Sequence, residues 1–143
     1  MNGTESDQIK SLLLDLLSPS QNVSAQMLTC LEPEAQTAFL QSVQDHRLGP
    51  LLRYMLSQYH QDVVVPDHIK LAIDSSFKTA AFRSLHAQQS LIKIHRLLSQ
   101  HQTPYIALKG AYLAFHAYPQ TALRPMRDLD ILVPEDRALE VYE

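Results

Sequence analysis

Residues 105–110, Tyr-Ile-Ala-Leu-Lys-Gly, and residues 123–133, Leu-Arg-Pro-Met-Arg-Asp-Leu-Asp-Ile-Leu-Val, decide how this chain is read. Thr103-Pro104 breaks the helical pattern before them, and Tyr105-Ile106-Ala107-Leu108 is a short apolar run with strand bias. Lys109-Gly110 follows directly, and residues 111–118 return to helical character until Pro119 ends it. A loop then carries Arg124-Pro125-Met126-Arg127, and residues 128–133 read as a second strand. Pro134-Glu135-Asp136 starts another helix. The order from residue 102 onward is strand, helix, strand.

Upstream the pattern is helical. Ile9, Leu12, Leu13, Leu16 and Leu17 recur at helical spacing over residues 6–17, and Ser18-Pro19 ends the run. A second helix is expected around Ser24, and a third from Pro33, a residue suited to a first turn. The third places Ala38, Phe39 and Val43 on one side. Gly49-Pro50 punctuates, and Leu51, Leu52, Tyr54, Met55 and Tyr59 suggest a fourth short helix. Val63-Val64-Val65 before Pro66 is extended in bias and is read as a connector. Asp67 is the expected cap of a long helix over residues 67–101, about 50 Å in length. Its packed stripe is expected to run through Ile73, Phe77, Ala81, Leu85 and Ile92, thickened by Leu91, Ile94 and Leu98, with Phe82 also in the core. Gln88-Gln89 marks a place where it could bend. The fold class is therefore α+β, with a helical N-terminal region over residues 1–101 and a strand-helix-strand segment over 102–143.

Composition removes several function classes. At 143 residues, 45% hydrophobic and 19% charged, the chain buries a real core and is not disordered. No apolar run is long enough for a membrane helix, and the start MNGTESDQIK lacks the features of a signal peptide, so a cytoplasmic chain is expected. The single cysteine, Cys30, allows no internal disulfide or cysteine-based metal cluster. A net charge of -3 argues against gripping nucleic acid by bulk charge. Asn2-Gly3-Thr4 and Asn22-Val23-Ser24 match a glycosylation pattern that means little without a secretion signal. The seven histidines show no ligand spacing.

The chemistry lies late in the chain. In a strand, Asp128 and Asp130 share one face while Leu129 and Ile131 point into the other. Two acids side by side repel unless a cation sits between them, and hard oxygen donors suit Mg²⁺ or Mn²⁺. Alone, the motif reads first as solvated acids at a strand end. Lys109-Gly110 stands at a strand-to-helix junction, where first-turn N–H groups and a lysine offer an anion site, or where a glycine simply makes a tight turn. Arg124 is open to two roles, pairing with the carboxylates or binding phosphate oxygens. Tyr112 and Phe115 read as core, although Tyr112 could face a base.

Taken together, Leu108-Lys109-Gly110 and Leu123-Arg124-Pro125-Met126-Arg127-Asp128-Leu129-Asp130-Ile131-Leu132-Val133 resemble the opening of the polymerase-beta-like nucleotidyltransferase fold. The pattern is similar above all to the bacterial group called uncharacterised nucleotidyltransferases, with an LKG…A…LR-x-M-x-DLD core, and also to the nucleotidyltransferase toxins of abortive-infection systems. Residues 104–134 carry the strong part, and His46-Arg47-Leu48-Gly49-Pro50-Leu51-Leu52 resembles a segment of the family's helical region. The resemblance implies transfer of a nucleoside monophosphate from a nucleoside triphosphate to a hydroxyl acceptor (protein, RNA end or small molecule). Asp128 and Asp130 become the catalytic, metal-binding pair, Gly110 and Lys109 stand at the phosphates, and Arg124 matches the arginine before the acids. It further implies Mg²⁺, with Mn²⁺ possible, a second ion about 4 Å from the first, and pyrophosphate as leaving group.

Two departures follow. Gly110 is followed by Ala111 where relatives carry Gly or Ser. The third carboxylate of such sites comes from a later strand, and Glu135, Asp136, Glu140 and Glu143 are poor substitutes. The expectation is thus an N-terminal fragment with the start of a catalytic domain, inactive by itself. Other readings are a catalytically silent nucleotidyltransferase-like binding module and a helical adaptor.

Overall fold

The computed structural model describes residues 3–138 and Val141; Asn2, Glu140 and Glu143 lie outside the described residues. These residues fall into two compact units, one ending at Lys78 and the other starting at Thr79.

The first unit is helical. Helix α1 (Gly3–Leu17) buries Ile9, Leu13 and Leu16 at helical spacing and leaves Leu14 outside. Helix α2 (Pro33–Asp45) starts on its proline and buries Phe39 and Val43. Helix α3 (Gly49–Gln58) begins two residues before the leucine run that marks it and buries Leu52, Met55 and Leu56. The first part of α4 (Asp67–Gln100) adds Ile69 and Ile73 to the same core. Asp67 is the first helical residue rather than the residue before it, and its negative charge sits in the first turn, where the helix dipole favours it.

The helix expected near Ser24 is absent; residues 25–30 form turns. The Gln26 carbonyl accepts locally from Cys30 N–H (2.9 Å), but those of Ala25, Leu28 and the following Leu31 are taken by donors from elsewhere in the unit. The Gln36 side-chain amide donates to Leu28 and Leu31 (3.2 and 3.0 Å), and Val64 N–H donates to the Ala25 carbonyl (2.7 Å). A run this short gains little from helical propagation, so these tertiary bonds prevail. Val63-Val64-Val65 is a connector, as its sequence suggests.

Two close features lock α3 in place. A Cβ at Gly49 would lie 2.5 Å from Ser76 Oγ and 2.8 Å from Ser76 Cβ, so only glycine lets α3 approach α4 this closely. The Arg53 guanidinium bonds Asp74 (2.7 Å) and lies 4.3 Å from the centre of the Phe77 ring.

Helix ends here do not follow the glycine rule. After α2, Leu48 N–H donates to the Val43 carbonyl and Arg47 N–H to that of Gln44. After α4, Thr103 N–H donates to Leu98 and Gln102 N–H to Ser99. Both are Schellman closures, with Arg47 (φ 54°) and Gln102 (φ 52°) in the left-handed position that glycine usually fills.

In the second unit α4 continues unbroken through Gln88-Gln89. Its covered side is Ala80, Ser84 and Leu98, with Ala87, Leu91 and Ile94 half-buried. Phe82 and Leu85, expected in the core, are 72% and 61% exposed, and Ile92 is also exposed. The reason is helical geometry: each step of four residues overshoots a full turn by about 40°, so a line followed in fours drifts off the packed side.

Strand β1 (Ile106–Ala107) and strand β2 (Ile131–Leu132) pair antiparallel, with Ile106 opposite Leu132 and Ala107 opposite Ile131. Both are shorter than their apolar runs. Helix α5 (Lys109–His116) lies between them and buries Ala111 and Ala114. A 3-10 turn at Thr121–Leu123 buries Ala122 and Leu123, and a second one follows at Glu135–Arg137. Arg137 reaches back to the carbonyl of His101 (2.8 Å), placing a cation at the end of α4. The architecture is α+β: helices first, then strand, helix, strand.

Candidate functional site

The site is built by the register of the two strands. Leu108 N–H donates to the Asp130 carbonyl (2.9 Å), one pair beyond the Ala107–Ile131 pair. That bond sets the Lys-Gly corner against the acid-bearing segment. Lys109 Nζ lies 3.1 Å from Asp130 Oδ2; the lysine is largely exposed and the aspartate half-buried. Asp128 is exposed and precedes the strand pair.

Backbone strain falls on an unexpected residue. Gly110 has an ordinary negative φ, while Lys109 sits at φ 46°. A left-handed residue that is not glycine costs on the order of 1 kcal/mol. Lysine is therefore held in a conformation that glycine would adopt freely. Gly110 matters for space: a Cβ there would lie 3.3 Å from Met126 Cγ and 3.7 Å from its sulfur. Met126, which the sequence reading leaves without a role, lies over the glycine and ties the corner to the loop before the acids. The only sequence signal for it is its place within Leu-Arg-Pro-Met-Arg.

Arg124 is half-buried after the 3-10 turn, and its guanidinium donates to the neighbouring Pro125 carbonyl (3.4 Å). Among the described residues it makes no ion pair with Asp128 or Asp130. Lys109, Gly110 and Asp130 are thus brought together, whereas Arg124 is not paired with the acids. Tyr112, expected in the core, is 52% exposed on α5.

The donor set is two carboxylates and one ammonium. No group of three or more His, Cys, Asp or Glu side chains is gathered for a metal ion among the described residues. Glu135 and Asp136 lie exposed on the second 3-10 turn. Asp128 is open to solvent and Asp130 is half-buried with one oxygen on Lys109; carboxylate oxygens of this kind are the hard donors that suit a divalent cation which keeps several waters.

Comparison with family models matches residues 32–143 to the one described as "Uncharacterised nucleotidyltransferase". The matched stretch starts just before α2 and includes the Lys-Gly corner and both acids. The chain belongs to this nucleotidyltransferase family. Comparison with curated proteins and with solved structures gave no match. No helix among the described residues is long and apolar enough to cross a membrane.

Proposed function

We propose that this chain binds a nucleoside triphosphate at the Lys109-Gly110 corner and serves in Mg²⁺-dependent transfer of its nucleoside monophosphate to a hydroxyl acceptor. The observation that carries this reading is the ion pair of Lys109 with Asp130, set by the Leu108–Asp130 backbone bond, in a chain of a nucleotidyltransferase family. Lys109 leaves Asp130 for the phosphate oxygens, its long exposed stem allowing the change. Gly110 keeps the backbone bare beside them, with Met126 fixing the corner. Asp128 and Asp130 would hold the divalent cation, which when bound neutralises triphosphate charge. The acceptor hydroxyl gives its proton to solvent as its oxygen bonds to the α-phosphorus, the bond from that phosphorus to the bridging oxygen breaks, and pyrophosphate leaves with the electron pair. Mn²⁺ suits the same donors.

A nucleotide-binding module without turnover is the second reading, favoured because no group of three or more His, Cys, Asp or Glu side chains is gathered among the described residues. One experiment tests both. Incubation with α-labelled ATP, CTP, GTP and UTP and Mg²⁺ is expected to label an acceptor, and Asp128→Asn or Asp130→Asn to reduce labelling at least a hundredfold. Labelling unchanged by both substitutions overturns the transfer reading. A nucleotide-dependent rise in melting temperature without labelling selects the binding module.

A further inference from the structure

Two arginines stand nearer to the acids in sequence than Lys109 does, and neither serves them. Arg127 is exposed and adjoins Asp128, and Arg124 is half-buried; neither forms an ion pair with Asp128 or Asp130 among the described residues. The cation on Asp130 comes instead from the corner after β1. The Leu108–Asp130 backbone bond (2.9 Å) brings the two segments together, and Lys109, left-handed at φ 46°, is the next residue. Its Nζ reaches Asp130 Oδ2 at 3.1 Å.

Both partners have another task under the nucleotide reading, the lysine at the phosphates and the aspartate at the divalent cation. A carboxylate that holds an ammonium group is a poorer ligand for a second cation, because two positive charges on one group repel. An ammonium group held by a carboxylate is likewise a poorer partner for an anion. Each side chain therefore withholds the other. The lysine side chain is 76% exposed and the aspartate 35%, so water screens the pair and it opens at small cost.

We propose that the Lys109–Asp130 pair is a latch: the lysine occupies the carboxylate until a triphosphate draws it away, so that triphosphate and divalent cation each assist the other's binding. This rests on the nucleotide reading above and adds to it how the site is held closed without substrate. Coupling of this kind is reciprocal. An anion that takes Lys109 frees Asp130 for the cation, and a cation on Asp130 frees Lys109 for the anion by the same factor. The exposure of the pair limits that factor to about three- to fivefold.

Two binding measurements on the full chain test the latch, each with a charge-matched control. The first follows Mn²⁺ without nucleotide, by loss of the free ion's paramagnetic resonance signal. Lys109→Met is expected to bind Mn²⁺ about three- to fivefold more tightly than wild type. Arg127→Met removes an equal charge beside the acids but frees no carboxylate, and is expected to stay within about twofold of wild type. Lys109→Gln is expected to match Lys109→Met, so the result does not hang on one side chain. The second measurement titrates inorganic tripolyphosphate into metal-free protein by calorimetry. Asp130→Asn, which frees the lysine, is expected to tighten binding about three- to fivefold, and Asp128→Asn to stay within about twofold. Circular dichroism of each variant checks that the fold is kept. Equal affinities in variant and control, in either measurement, overturn the latch and leave the nucleotide reading standing where wild type binds both ions. Wild type and variants that bind neither Mn²⁺ nor tripolyphosphate overturn both.

Discussion

The two units treat their apolar residues in opposite ways. In the unit ending at Lys78, large side chains meet: Leu16, Leu28, Phe39, Leu52 and Ile69 are completely buried in one cluster. In the unit starting at Thr79, the buried apolar residues are largely alanines (Ala80, Ala111, Ala114 and Ala122), with Leu98 and Leu123. Its larger ones face outward, among them Phe82, Leu85, Leu97, Ile106 and Leu132. Burial of a large side chain contributes roughly 1.5–3 kcal/mol and of a methyl group far less. The helical unit thus carries its own stabilisation. The unit with the Lys-Gly corner and both acids has only a thin core.

The largest effect separating them lies in matched phenylalanines. Phe39→Ala is expected to cost about 3–5 kcal/mol in urea unfolding, whereas Phe82→Ala stays within about 0.5 kcal/mol. Equal costs would break the comparison. The two packed glycines give a smaller contrast. Gly49→Ala forces a methyl group against Ser76 and is expected to cost about 1–3 kcal/mol, partly recovered by Ser76→Gly. Gly110→Ala meets only the flexible end of Met126 and should cost less than about 1 kcal/mol in the same assay. The smallest effect has the opposite sign. Arg47→Gly in one unit and Gln102→Gly in the other relieve a left-handed backbone, each expected to add about 0.5–1 kcal/mol, read as a rise in melting temperature.

Much of this was legible in the sequence, for reasons that also explain the misses. Pro33, Gly49-Pro50 and Ser18-Pro19 mark helix ends because proline and glycine act locally, and α1, α2 and α3 follow them. The strand-helix-strand order is visible because apolar runs flank Lys109-Gly110. What depends on contacts between distant residues was hidden. Residues 25–30 look helical until Val64 and Gln36 take the carbonyls of Ala25 and Leu28. Phe82 and Leu85 look like core because spacing reveals a face but not whether anything covers it. At the site, residue types pointed to Lys109, Gly110, Asp128 and Asp130, and the ion pair to Asp130 could be inferred only from strand register. Met126 over Gly110 was invisible, since no spacing rule links a loop methionine to a helical glycine.

The left-handed backbone at Lys109 bears on how this position changes over generations. Glycine and asparagine adopt φ near 46° easily, so mutation under selection for folding alone would carry residue 109 toward them. β-Branched residues would be purged. Lys109→Gly therefore parts two properties that one residue holds together: it frees the left-handed turn and removes the partner of Asp130.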